Sequence, residues 1–163
     1  MFFKADACNV PIAVIQDATN FLKMNDDLIF KSVLPIQIRM TDLDPFGHVN
    51  NGVLLSYYDL GRLNYIQRVT NKVLDWNELD SVLVHVSCDF KDSVLFNNTV
   101  FVGTKVVELG NRSIKILQHI FTENPYCLKS TCYSVLSGFD KEKNCSKPIS
   151  EELKEKVRMF ERS

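Results

Sequence analysis

The run N-G-V-L-L-S-Y-Y-D-L-G-R-L-N-Y-I-Q-R-V, Asn51 to Val69, decides how the rest of the chain must be arranged. Val53, Leu54, Tyr57, Tyr58, Gly61 and Tyr65 recur at steps of three and four, the spacing of a helix with a wide apolar face. Asn50 and Asn51 favour a helix N-terminus. Gly61 costs a helix interior about 1 kcal/mol against Ala, so its presence predicts another element approaching closely at that turn. Asn51-Gly52 is also a hairpin signal, but a hairpin needs a strand after Gly52, and the helical spacing from Val53 argues against one.

Before this helix, Leu34, Ile36, Ile38 and Met40 alternate with Pro35, Gln37 and Arg39, the period of a strand. Pro35 has no N–H to give, which predicts a sheet edge or a strand start. After the helix, Val82, Val84, Val86, Cys88 and Phe90 alternate with Leu83, His85, Ser87 and Asp89. Runs near 99–109, 113–122 and 127–139 follow, separated by Leu109-Gly110-Asn111 and Asn124-Pro125. Ser150 caps a short last helix, with Glu151 and Glu152 in its first turn and Leu153, Val157 and Phe160 on one face. Ahead of residue 30, Ile12, Ile15, Ala18, Phe21 and Leu22 have rough helical spacing behind Pro11, and Asn25-Asp26-Asp27 breaks it. Residues 1–29 are therefore expected to form a helical N-terminal extension packed on a domain of residues 30–163. The order is strand, long helix, four strands, short helix. It predicts an α+β fold in which an antiparallel sheet of about five strands wraps the apolar face of the long helix.

A chain of 163 residues fits one domain with its own core. Its 19 basic and 20 acidic side chains leave no excess of positive charge for a nucleic-acid partner. No apolar run reaches the roughly 20 residues that span a bilayer. The five cysteines, Cys8, Cys88, Cys127, Cys132 and Cys145, are odd in number and show no C-x-x-C spacing. That pattern suggests neither a zinc motif nor a disulfide framework and suits a reducing compartment. Asp6 interrupts the start, and Val10 to Ile15 is too short for a signal-peptide core, so the expected location is cytoplasmic.

The chemistry is concentrated in T-D-L-D-P-F-G-H-V-N-N, Thr41 to Asn51. Asp42 and Asp44 follow a strand in a loop whose path Pro45 and Gly47 fix. The first N–H groups of the next helix lack intrahelical partners and carry partial positive charge. A carboxylate facing such donors is the minimum apparatus for cleaving an acyl bond: the donors polarise a carbonyl, and the carboxylate attacks it or activates water. A thioester suits it because a thiolate leaves with little acid assistance.

The segment from Thr41 to Arg62 resembles the signature of the 4-hydroxybenzoyl-CoA thioesterase-like hotdog enzymes. The similarity continues weakly through Glu108-Leu109-Gly110-Asn111-Arg112-Ser113 and covers roughly residues 30–150. It implies the hotdog fold and hydrolysis of an acyl-CoA to free acid and CoA, with no metal or organic cofactor. Asp44 matches the family's catalytic carboxylate, and the N–H that binds the thioester carbonyl falls at Asn51. Gly47 and His48 complete the expected catalytic set, Gly47 letting the loop approach the substrate. Asn50, Tyr58, Asp59, Arg112 and Ser113 are the expected substrate contacts. The resemblance also implies a homodimer or homotetramer sharing the acyl pocket across an interface. Leu54 stands where the family often has an aromatic residue and Asp59-Leu60 where it often has an acidic pair, departures that bear on the acyl group more than on the reaction.

Blander and rival readings stand beside these. Asp44 before Pro45 suits a turn in which the carboxylate bonds a local N–H. Asp42 is expected to be structural. His48 either tends the carboxylate or ties the loop to the helix. Asp42, Asp44 and His48 are chemically plausible metal ligands, but no further ligands cluster with them. Asp59 and Arg62 most simply form a surface pair, with Asp59 the backup carboxylate. Cys88 and Cys132 fall in strand patterns, where inert buried thiols are usual. Two other functions use the same fold: hydrolysis of acyl carrier protein thioesters, which favours a basic patch the chain lacks, and acyl binding without catalysis, against which Asp44 stands.

Overall fold

A computed structural model describes residues 29–73, 80–123 and 125–162; the expected N-terminal helix lies outside them. Its elements are β1 (Ser32–Ile36), a 3-10 turn (Met40–Asp42), α1 (Asn51–Thr70), β2 (Ser81–Phe90), β3 (Val100–Leu109), β4 (Ser113–Thr122), β5 (Cys127–Asp140), β6 (Cys145–Ser146) and α2 (Glu151–Arg162). The strands form one antiparallel sheet in the order β1-β3-β4-β5-β2, with β6 beside β5. The expected edge position of Pro35 holds, since among the described residues β1 pairs only with β3. The alternation that suggested a strand through Met40 overshoots: β1 stops at Ile36 and the chain tightens into the 3-10 turn, where the Asp42 side chain accepts from the Arg39 N–H at 2.8 Å.

Helix α1 lies over β1, β3 and β4. Near its start, Leu54, Tyr57 and Tyr58 bury against Val100, Val102, Ile120 and Cys132. Near its end, Tyr65 and Val69 pack with Val106, Ile114, Ile116 and Val157 of α2. On the opposite face of the sheet, Phe101 stacks on its register partner Phe121 at 5.8 Å. The close approach predicted at Gly61 is present. A Cβ there would sit 2.6 Å from Val102 Cγ1 and 2.9 Å from both Gln118 Nε2 and Thr104 Oγ1.

Beneath that contact lies a buried polar network. Gln118 donates from Nε2 to the Tyr58 carbonyl at 2.9 Å and to Thr104 Oγ1 at 3.0 Å, and accepts from Arg62 at 2.9 Å. The Asp59–Arg62 pair forms, but only Asp59 is at the surface. Arg62 is buried because the second arm of its guanidinium reaches Gln118, a demand that helix spacing alone does not reveal.

The far half of the sheet is different. Val82, Leu83, Val84, Val86 and Phe90 of β2 are all exposed, Val84 at 58%. Among the described residues, strand β2 pairs with β5 on one side and with nothing on the other. No helix among them is long and apolar enough to cross a membrane.

Candidate active site

The loop between β1 and α1 is fastened to the helix it precedes. Asp42 accepts at one carboxylate oxygen from the Arg39 N–H and, at 2.7 Å, from the Tyr57 hydroxyl; its carbonyl accepts from the Asn50 N–H at 2.9 Å. Burial first, then the bond to Asp42, push the Tyr57 phenol well above the ordinary tyrosine range, so it remains a donor.

Asp44 closes the next turn. Its Oδ1 accepts from the Phe46 N–H at 2.8 Å and the His48 N–H at 3.1 Å, while its own N–H donates to the His48 carbonyl at 2.7 Å. The local-turn reading of Asp44 is therefore correct for Oδ1. Oδ2 takes no hydrogen bond from the described residues. Gly47 donates its N–H to the Asp44 carbonyl at 3.0 Å and stands at φ +80°, a conformation that side-chain-bearing residues rarely adopt. Nothing lies within 4 Å of where its Cβ would be, so conformation rather than crowding requires the glycine.

The helix start is equally specific. Asn50 accepts the Gly52 N–H on its side chain at 2.8 Å, and its carbonyl accepts from the Val53 and Leu54 N–H groups at 2.9 and 3.1 Å. That leaves the Asn51 N–H as the donor of the first turn without a partner among the described residues. It sits where the helix carries its partial positive charge.

Asp44, His48, Asn50 and Asn51 line one cleft of about 420 Å³, with Leu54 beneath them. The opposite wall is the end of β2 and the segment after it, Phe90 to Val94. This wall is joined to the loop by the Val49 N–H, which donates to the Val94 carbonyl at 2.8 Å, and by a bridge between His48 and Leu95.

The remaining expected residues are placed differently. Tyr58 is fully buried, one helical turn beyond Leu54 on the same face. Asp59 is exposed and engaged by Arg62. Arg112 and Ser113 stand at the β3–β4 turn, Arg112 donating to the Ser146 carbonyl at 3.0 Å. That turn adjoins the cluster around Val69, so within one chain it is at the opposite end of α1 from Asn51. Two contributors were missed. Tyr57 counted only as an apolar helix position, and Phe90 to Val94 carries no spacing that marks it as a wall.

Several comparisons bear on this arrangement. A thioesterase from Thermus thermophilus, solved with coenzyme A and Zn, has 29% identity and a TM-score of 0.72, with 82% of this chain and 96% of that one covered. A DHNA-CoA thioesterase from Staphylococcus aureus follows at 20% and 0.67, covering 80% and 93%. A 4-hydroxybenzoyl-CoA thioesterase variant bound to 4-hydroxybenzoyl-CoA stands at 14% and 0.69, covering 77% and 96%. The last two show the fold alone, which is the hotdog fold expected from the sequence. Comparison with curated proteins gives no match. A family model described as the thioesterase superfamily matches residues 46–129, beginning two residues after Asp44 and running through α1 into β5. That span is more than half of the chain and holds both the helix and the wall of the cleft. By it, this protein belongs to the thioesterase superfamily.

Proposed function

We propose that the protein hydrolyses an acyl-CoA thioester to the free acid and CoA in the cleft between Asp44 and the start of α1. The observation that carries this reading is the meeting in one cleft of two groups without a partner among the described residues, Asp44 Oδ2 and the Asn51 N–H. The Asn51 N–H receives the thioester carbonyl oxygen and stabilises the charge that gathers there as the carbon becomes tetrahedral. Asp44, held by two backbone N–H groups on Oδ1, acts through Oδ2. It either takes a proton from the water that adds to the carbonyl or adds to the carbonyl itself, in which case loss of CoA leaves an anhydride on Asp44 that water opens to the acid. The C–S bond then breaks and CoA leaves as the thiolate. His48 contributes through its backbone, which closes the Asp44 turn, and Leu54 supports the acyl group from below.

Thiol release from a panel of acyl-CoAs tests the reading. Asp44→Asn should lower kcat/KM by about 10²- to 10⁴-fold, the usual contribution of a positioned acid–base group. Unchanged turnover would sink the role of Asp44, and no turnover of any thioester by the native chain would favour acyl binding without catalysis. A single turnover in ¹⁸O-water tests for direct attack: label on Asp44 marks an anhydride that water opens at the Asp44 carboxyl.

The free edge of β2 supports assembly as well. Exposed edges invite pairing, and β2 presents apolar side chains along with a backbone edge that no other described strand pairs. Because Phe90 and Lys91 also line the cleft, a second copy paired along β2 stands beside the site and closes its open side.

A further inference from the structure

Cys88 of β2 and Cys132 of β5 are register partners, and the parity of the ladder sets how close they come. The Lys91 N–H donates to the Lys129 carbonyl at 2.8 Å, so these two form a hydrogen-bonded pair. Pair types alternate along an antiparallel ladder, which makes 90/130 non-hydrogen-bonded, 89/131 hydrogen-bonded and Cys88/Cys132 non-hydrogen-bonded. At such pairs the Cα atoms approach to about 4.5 Å and the side chains are closest. A disulfide spans Cα separations of about 4.4–6.8 Å, so the backbone already sits inside its window.

The two thiols share a face but not an environment. Cys132 lies in the cluster with Leu54, Tyr58 and Val94, and Cys88 packs against that cluster from the edge strand. Cys132 is 1% exposed, whereas Cys88 is half-buried. Burial, then the hydrogen bond with Cys88, push the Cys132 thiol up and keep it protonated. The other described cysteines have no such arrangement: Cys127 faces Thr122 in register and donates to Asp92 at 3.3 Å, and Cys145 faces Asp140.

We propose that Cys88 and Cys132 are a redox-sensitive dithiol that a peroxide closes into a reversible disulfide between β2 and β5. The Cys88 sulfur attacks one peroxide oxygen and the O–O bond breaks. One oxygen stays on Cys88 as the sulfenic acid, and the other leaves as water with the thiol proton. The Cys132 sulfur then attacks the Cys88 sulfur. The S–O bond breaks, and the hydroxyl leaves as a second water with the Cys132 proton. The two thiols lose two electrons and the peroxide gains them. A small thiol such as dithiothreitol reverses the bridge by exchange. Cys88 is the entry point because it is the accessible member, and Cys132 resolves it because the register holds it opposite. Phe90, two residues along the same face, lines the cleft, so the bridge stiffens a wall of the site.

The test uses the full chain with Cys8, Cys127 and Cys145 replaced by serine, treated with hydrogen peroxide, then denatured and alkylated. The expected result is loss of both remaining thiols together, one intrachain peptide pair joined through Cys88 and Cys132, and recovery of both thiols with dithiothreitol. Cys132→Ser should leave Cys88 as a sulfenic acid that dimedone labels, and Cys88→Ser should leave Cys132 alkylatable. Peptide mapping of the peroxide-treated unaltered chain reads the same linkage without the serine background. Oxidation of Cys88 with Cys132 still free in the parent, a bridge between two chains, or no loss of thiol in the folded protein would overturn the proposal.

Discussion

Asp42 does no chemistry in the proposed reaction, yet through Tyr57 it sets where the chemistry happens. The Tyr57 hydroxyl holds the Asp42 carboxylate, and the Asp42 carbonyl holds Asn50, so one bond from the second turn of α1 fixes the loop against the helix start. Tyr57→Phe removes the bond and keeps the ring. The expected outcome is a fall in kcat of about 10-fold with KM little changed, because a net hydrogen bond of roughly 1.5 kcal/mol to a charged group then no longer positions the loop. Steady-state kinetics on the best acyl-CoA checks it; a shift in KM alone would assign the bond to binding instead. His119 gives a second prediction at this scale. Burial beneath Phe30, helped by the charge of Lys91, lowers its pKa from the ordinary histidine value of 6.5 to about 4. The unfolded chain therefore binds a proton that the folded one refuses between those two values. Stability from this group is fully present above about pH 6.5 and is lost as pH falls toward 4. Urea midpoints at about pH 7 and pH 5, either side of the unfolded histidine's titration, should differ less in His119→Asn than in the native chain. The Asp44 motif was legible because its residue types carry their own turn and cap chemistry. The Asp42–Tyr57 bond was not, since periodicity assigns Tyr57 a face and not a partner for its hydroxyl.

Among the elements, α1 and the sheet meet most tightly at Gly61. Alanine there gains up to about 1 kcal/mol of helix propensity. It also places a methyl group 2.6 Å from a Val102 methyl and against the Gln118 and Thr104 side chains. Overpacking of a filled core costs roughly 1–3 kcal/mol, so the packing term wins. Gly61→Ala should lower the urea midpoint, and an unchanged or raised midpoint would show that the helix can move away. The strands were readable from alternation alone because apolar and polar residues trade places along them. Their ends were less so: β1 stops at Ile36, and a side-chain bond at Arg39 opens the 3-10 turn from Met40. The burial of Arg62 was hidden because its partner Gln118 lies 56 residues away.

At the scale of the whole molecule, β2 is an apolar edge. The order β1-β3-β4-β5-β2 cannot be read from periodicity, which is why the exposure of β2 emerges only from the fold. Ladder parity turns its free edge toward solvent at Val86, which shares its parity with Cys88 and Phe90. Val86→Pro removes an outward N–H without touching the β2–β5 ladder, as edge strands tolerate. Sedimentation should show the native chain as at least a dimer and Val86→Pro as a smaller species that keeps its β-sheet spectrum. A native monomer, or a variant that assembles normally, would move the interface elsewhere.

The same parity has a consequence for how such a protein diversifies. On β2 Phe90 lines the cleft, and its backbone N–H and C=O, like those of Val86 and Cys88, point away from β5. In the proposed assembly, a change at Phe90 that suits a new acyl group is met also by the copy paired along that edge. In that assembly selectivity and pairing therefore meet at Phe90, and a lineage that retunes one must re-select the other.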